Sequence, residues 1–317
     1  MSHPSPSSDP YNYLGIVLNP DGTITRDLTR FQCAAATPDP RPHNPVISKD
    51  IPVNESKLTR IRLYLPTSAI SSDEKLPLVV YFHGGGFVLG SVDFVQFHGF
   101  CSNMACDLHA VVASASYRLS PEHRLPAAYD DGMEALHRIR TSSDDWLNNH
   151  ADLSNVLIMG TSAGGNLAHA VGLRASTEDL KPLQIRGLVL HHPFFGGVER
   201  SPSEIRLGQD PVLPPTVSDV FWELCLPVGA DRDHEYSNPK EGLEGMVRVR
   251  WKVMVIGTEG DPLVDRQREV VELMKNNGVD VVGHFTDGSF HGAEIMDPSK
   301  AKSMFAIVRH FMPSSML

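Results

Sequence analysis

Seven short apolar runs, most of them rich in β-branched residues and closed by turn residues, alternate with stretches of helical periodicity along this chain. The runs predict strands at Arg60–Leu65, Leu76–Phe82, Ala110–Ala115, Val156–Met159, Gly187–His191, Val253–Gly257 and Val281–Phe285. The periodic stretches between them predict helices at Gln96–Leu108, Ala127–Thr141, Asn166–Ala175, Arg266–Asn276 and Lys300–Phe311. Such alternation predicts an α/β architecture, a mostly parallel central sheet flanked by helices. Two regions break the pattern. Residues 1–45 are polar and proline-rich, with isolated apolar residues at Tyr11, Tyr13, Leu14, Ile16 and Val17. Residues 199–249 carry Pro211, Pro214, Pro215 and Pro227 around an apolar helical patch at Val217–Leu226. A solvated loop needs no such apolar content, so both regions are expected to form a helical cap over the sheet.

With 317 residues, 41% of them hydrophobic, the chain has enough apolar content for one large core, and no composition shift divides it. A single domain over residues 1–317 is expected. With 28 basic against 38 acidic residues the formal charge is −10, and no basic stripe is present. This charge disfavours nucleic acid and anionic membrane surfaces as partners, and neither is expected. No apolar run approaches the ~20 residues of a membrane helix, and the Ser/Pro-rich stretch Met1–Pro10 lacks the apolar core of a signal peptide. The expected address is therefore cytoplasmic or nuclear. The terminal Ser315-Met316-Leu317 only loosely approximates the peroxisomal Ser-Lys-Leu. Cys33, Cys101, Cys106 and Cys225 lack metal-ligand spacing and are expected to be reduced thiols. Without a long heptad pattern, a monomer is expected.

Chemistry enters with Gly160-Thr161-Ser162-Ala163-Gly164, which follows one predicted strand and precedes a small-residue helix. That context places Ser162 on a sharp strand-to-helix turn, where its hydroxyl is exposed and the helix N-terminus lends positive charge. Upstream, His83-Gly84-Gly85-Gly86 follows the run Leu76–Phe82, so bare backbone amides lie past a strand's carboxyl end. The amides of Gly85 and Gly86, with that of Ala163, are candidates for an oxyanion hole, while His83 reads as conformational. A serine nucleophile also needs a base and an acid that orients it. In the chain order serine, acid, histidine, Asp261 follows the run Val253–Gly257 and His291 follows Val281–Phe285, which puts both at the sheet edge that carries Ser162. Glu259 and Asp265 compete for the role of acid, and His284 and His310 for that of base.

Several stretches together carry a family resemblance: His83-Gly-Gly-Gly-Phe87, Tyr117 to Asp131, Gly160-Thr-Ser-Ala-Gly-Gly-Asn166, His191-His-Pro-Phe-Phe-Gly-Gly197, Gly260-Asp-Pro-Leu263 and His291-Gly292. On these residues the chain resembles the plant carboxylesterases, a branch of the hormone-sensitive-lipase-like α/β-hydrolases. The resemblance implies an α/β-hydrolase fold and a serine carboxylesterase, with Ser162 as nucleophile, His291 as base and Asp261 as its partner. It also implies Gly84, Gly85, Gly86 and Ala163 as the oxyanion loop, and neither metal nor cofactor. Thr161 departs from the aspartate frequent before the nucleophile in that family. Gibberellin receptors are related and bind a hormone under an N-terminal lid, with the triad histidine replaced; other members hydrolyse or hold strigolactones. Two functions follow: hydrolysis of small-molecule esters, or sequestration of a hormone-like ligand with slow or no turnover. Phe87, Leu213, Phe221 and Trp222 are candidate substrate contacts by type and position.

Overall fold

The structure, a computed structural model, describes residues 9–240 and 242–312; Ser315-Met316-Leu317 and residues 1–8 lie outside the described residues. Two short strands, β1 (Ile16–Leu18) and β2 (Ile24–Arg26), pair as an antiparallel hairpin. The others are β3 (Val46–Asn54), β4 (Thr59–Pro66), β5 (Leu76–Phe82), β6 (Val111–Ala115), β7 (Ala151–Thr161), β8 (Ile185–His191), β9 (Lys252–Thr258) and β10 (Asp280–Thr286). They form one eight-stranded sheet in the order β10-β9-β8-β7-β5-β6-β4-β3. Pairing is parallel from β6 through β5, β7, β8 and β9 to β10, and antiparallel where β4 joins β6 and β3 joins β4.

Helices cover the sheet. In chain order they are α1 (Pro10–Leu14), α2 (Val95–Leu108), α3 (Ala127–Arg140), α4 (Asp145–His150), α5 (Ala163–Ala175), α6 (Pro202–Arg206), α7 (Pro215–Cys225), α8 (Glu244–Val249), α9 (Val264–Asn276), α10 (Ala293–Met296) and α11 (Pro298–Phe311). The alternation of side chains along each strand divides the core in two. Leu78, Val80, Phe82, Ile158, Leu188 and Leu190 point to one face, where they meet Leu136 of α3, Leu167 and Val171 of α5 and Val271 of α9. Val79, Tyr81, Leu157, Met159, Val189 and Ile256 point to the other, where they meet Phe100 and Met104 of α2 and Met304 and Phe305 of α11. Burial on both faces explains why the central strands read as continuous apolar runs.

Each of the seven expected strands is present, with β7 extended back to Ala151. The sheet also contains β3, which none of the predicted runs covers. This strand lies at the sheet edge, and its polar residues suit that place: Lys49, Asp50 and Pro52 are the residue types that keep an edge from pairing further. Asp50 pairs across the strands with Arg62, whose Nε and one terminal nitrogen donate to its two oxygens at 2.7 and 2.8 Å. Between residues 9 and 45 the chain is anchored at several points. Helix α1 packs on α7, and Tyr13 Oη donates to the carbonyl of Pro211. The Arg26 guanidinium donates to the carbonyls of Val88 (2.7 Å) and Ser120 (2.6 Å) and pairs with Glu122. No helix among the described residues is long and apolar enough to cross a membrane.

Ile158 sits in the middle of β7 with no exposed surface. Truncation to alanine removes its contacts with the helix layer and leaves a cavity, a change that typically costs about 2–5 kcal/mol. Ile158→Ala is expected to lower the urea midpoint of unfolding markedly; an unchanged midpoint would contradict this placement of the core.

Candidate active site

β7 ends at Thr161 and α5 starts at Ala163, so Ser162 alone makes the turn, at φ 57° and ψ −120°. A positive φ on a non-glycine residue stores strain that the surroundings have to hold. Here the Ser162 amide donates to the His191 carbonyl at 2.9 Å, and its carbonyl accepts from Gly165, Asn166 and Phe194 at 2.8 to 3.1 Å. The flanking glycines permit the close approach: a Cβ on Gly160 would lie 1.9 Å from the Gly164 carbonyl oxygen, and one on Gly164 would lie 2.0 Å from that of Phe82. Ser162 stays partly exposed.

Asp261, on the loop after β9, and His291, on the loop after β10, converge on this serine. His291 Nε2 lies 2.8 Å from Ser162 Oγ, and His291 Nδ1 lies 2.8 Å from Asp261 Oδ2. The network assigns the proton of neutral His291 to Nδ1, which leaves Nε2 to accept from the serine hydroxyl. Asp261 is fully buried; its Oδ1 accepts from the Leu263 amide at 2.9 Å and its Oδ2 from Gln267 Nε2 at 2.7 Å. Burial pushes its pKa up, but the charge of His291 and the hydrogen bond from that ring outweigh burial and hold it well below the usual range. For His291, burial pulls the pKa down while the Asp261 charge and hydrogen bond pull it up, and the balance is raised. The competitors lie elsewhere: Glu259 pairs with Arg268, Asp265 accepts from the Ser203 amide at 2.7 Å, His284 lies within β10 and His310 is exposed on α11.

The glycine loop follows β5 directly. A Cβ on Gly84 would stand 3.2 Å from Ser162 Cβ, so the loop lies against the serine. His83 Nδ1 donates to the Gly84 carbonyl at 2.8 Å and its ring stacks on Tyr117, whose hydroxyl donates to the His83 carbonyl. Burial lowers the pKa of His83 to about 4, so it is a neutral brace for the loop. Among the described residues, the amides of Gly85, Gly86 and Ala163 donate no hydrogen bond to the chain. At Gly86, with φ 63°, a Cβ would fall 2.3 Å from the Phe221 ring, which closes the loop from the side of α7. Of the other candidate contacts, Phe87 is enclosed by Tyr117, Tyr129 and Trp222, Trp222 stacks on Phe194 at 4.4 Å, and Leu213 is buried. Phe221 is the candidate that meets a Cβ placed at Gly86. A separate cleft of about 730 Å³ runs along α5 past Asn166, His169 and Arg174.

Behind the serine lies a buried polar chain that sequence reasoning did not assemble. Tyr81 Oη donates to Thr161 Oγ1 at 3.0 Å, and Thr161 Oγ1 lies 2.9 Å from His191 Nδ1. His191 Nε2 is 3.1 Å from Glu294 Oε2. His192 lies between Glu294 and Asp261, with Nδ1 3.2 Å from Asp261 Oδ2 and Nε2 3.6 Å from Glu294 Oε2. The triples His191, His192, Glu294 and His192, Asp261, His291 thus bring donor atoms close enough to share a cation, yet hydrogen bonds already engage most of these atoms. The sequence contained one signal of this chain, the departure at Thr161, since a threonine there has to bond differently from an aspartate.

A family model described as alpha/beta hydrolase fold matches residues 79–295. Carboxylesterase 20 of Arabidopsis thaliana is 64% identical over 98% of this chain and 99% of its own length. A gibberellin receptor of the same plant is 36% identical over 84% of this chain and 77% of its own length. Among solved structures, a hyperthermophilic esterase from the archaeon Pyrobaculum calidifontis superposes with a TM-score of 0.70 at 28% identity, covering 85% of this chain and 87% of the esterase. By this near-complete similarity and the matching fold model, the chain belongs to the plant carboxylesterase family of α/β-hydrolases.

Proposed function

We propose that this chain is a serine carboxylesterase that hydrolyses carboxylic esters of small plant metabolites through an acyl-enzyme. The observation that carries this reading is the unbroken series Asp261–His291–Ser162, with both links at 2.8 Å, ending beside free glycine amides. Ser162 Oγ attacks the ester carbonyl carbon while His291 Nε2 takes its proton, and Asp261 stabilises the imidazolium that forms. The amides of Gly85, Gly86 and Ala163 meet the oxygen on which negative charge develops, with Gly84 holding the loop against the serine. His291 returns the proton to the leaving alkoxide, the alcohol departs, and water activated by the same histidine cleaves the acyl-enzyme. No metal or cofactor enters these steps.

Residues 1–45 and 199–249 act as the cap of a single domain, and Phe221 and Leu213 shape the substrate side of the pocket with Phe87 and Trp222 packed behind them. Support for the cap is the packing of α1 on α7 and the contact of Phe221 with Gly86. The complete series of triad bonds favours turnover over storage of a hormone-like ligand.

Ser162→Ala should lower ester turnover by about a million-fold, as expected when nucleophile and base act as a unit. Retained hydrolysis in that variant would overturn the proposal. The pH profile gives a second test. His291 has to be neutral to accept the serine proton, and its pKa is raised because Asp261 outweighs burial, with Asp210 and Glu294 adding in the same sense. Activity is therefore lost as pH falls, and the midpoint of the acid limb of kcat/KM should lie above the ordinary histidine value of 6.5. A limb centred below that value would contradict the geometry.

A further inference from the structure

The two histidines behind the triad compete for protons in a way that the hydrogen bonds resolve. At His191 the order is fixed by Glu294: an ionised carboxylate only accepts, so the proton of the neutral ring sits on Nε2 facing it, Nδ1 accepts from the Thr161 hydroxyl, and Thr161 Oγ1 accepts from the Tyr81 hydroxyl. Burial lowers the His191 pKa to about 4, which keeps that ring neutral. His192 has a choice. The Gly292 amide approaches its Nδ1 at 3.2 Å, Asp261 Oδ2 lies 3.2 Å from the same nitrogen, and Nε2 has no hydrogen-bond partner but lies 3.6 Å from Glu294 Oε2. With its proton on Nδ1, His192 would add a third donor to Asp261 Oδ2, which already accepts from His291 and Gln267. The Gly292 amide would then lose its acceptor and the Glu294 carboxylate would face a lone pair. With its proton on Nε2, the Gly292 amide keeps its acceptor and the ring N–H faces the Glu294 carboxylate at 3.6 Å, a charge–dipole contact rather than a hydrogen bond. Nδ1 then lies 3.2 Å from Asp261 Oδ2 without a hydrogen bond between them.

We infer that Glu294 is a positioning residue, whose carboxylate holds the His192 proton on Nε2, so that His192 Nδ1 anchors the Gly292 amide and the Asp261 charge is left to His291. Glu294 acts through His192 and touches neither Ser162 nor His291 within hydrogen-bond distance. Its own pKa is pushed up by burial but more strongly down, chiefly by the His191 hydrogen bond, to about 2, so the carboxylate is ionised across the working range. The groups facing it are His191 and His192, and Arg30 lines the surface crevice that reaches it. Those facing His291 are Asp261, Asp210, Glu294 and His192. Neutralising Glu294 therefore acts on His291 twice in the same direction. It removes a negative charge that favours the imidazolium, and it releases the His192 proton to Nδ1, where it draws on Asp261.

The inference rests on the reading of Ser162, His291 and Asp261 as the catalytic groups, and the test separates the two. Nitrogen-15 labelling of the histidines in the full chain reads the tautomer of each ring by NMR without any turnover, with the His192 signals assigned by their loss in His192→Asn. The wild-type protein should show His192 protonated on Nε2, and Glu294→Gln should move that proton to Nδ1. The same variant should shift the acid limb of kcat/KM down by about half a pH unit or more and lower kcat about three- to tenfold, with KM little changed. A merely space-filling Glu294 would leave both tautomer and limb where they were. Wild-type His192 protonated on Nδ1, or an unmoved or raised limb in Glu294→Gln, would overturn the inference. If Glu294→Gln does not fold, the wild-type spectrum decides. Activity surviving Ser162→Ala would sink the esterase reading while leaving the tautomer result to stand or fall alone.

Discussion

A carboxylate without solvent contact, Asp261, is the charge around which the site is organised. Removing such a group from water costs several kcal/mol unless hydrogen bonds and an opposing charge offset it. Three donors do so, the Leu263 amide, Gln267 and His291, and the His192 ring packs alongside with Nδ1 3.2 Å from the carboxylate. They come from the loop after β9, from α9, from the loop after β10 and from the end of β8. The carboxylate therefore ties three adjacent parallel strands together at the edge where the serine lies. Its bond to His291 orients that ring, and the ring in turn reaches Ser162.

The serine depends on a different constraint, close backbone packing. β7 meets α5 so closely at Gly160, and α5 meets the end of β5 so closely at Gly164, that no side chain fits at either, and the strained Ser162 backbone is held by His191 and Phe194. Thr161, the residue before the serine, points into the sheet side that carries Tyr81 and His191. Its hydroxyl passes a hydrogen bond from a fully buried tyrosine to His191, a neutral arrangement where an aspartate would add a charge. The second acid, Glu294, stands at the far end of that chain, beyond His191.

Local patterns made most of this legible in the sequence. The buried parallel strands appeared as apolar runs because both of their faces are covered, and each triad residue lay on the loop past such a run. Strand β3 was not legible, since an edge strand with Lys49, Asp50 and Pro52 lacks the apolar run of a central one. Nor were the short helices α1, α6, α8 and α10, whose four to six residues are too few to show a period. The roles of His192, Gln267 and Glu294 had no local signature. Each depends on a partner from another strand end, brought near by the order of the sheet, and a single chain of letters does not contain that proximity.

The central claim is that Ser162 is a nucleophile activated by His291. Reaction of the native protein with a fluorophosphonate ester, followed by proteolysis and mass spectrometry of the peptides, tests it most directly. The account predicts one phosphonyl adduct, on the peptide that carries Ser162, forming far more slowly in His291→Ala. An adduct on another residue, or equal labelling rates with and without His291, would contradict it.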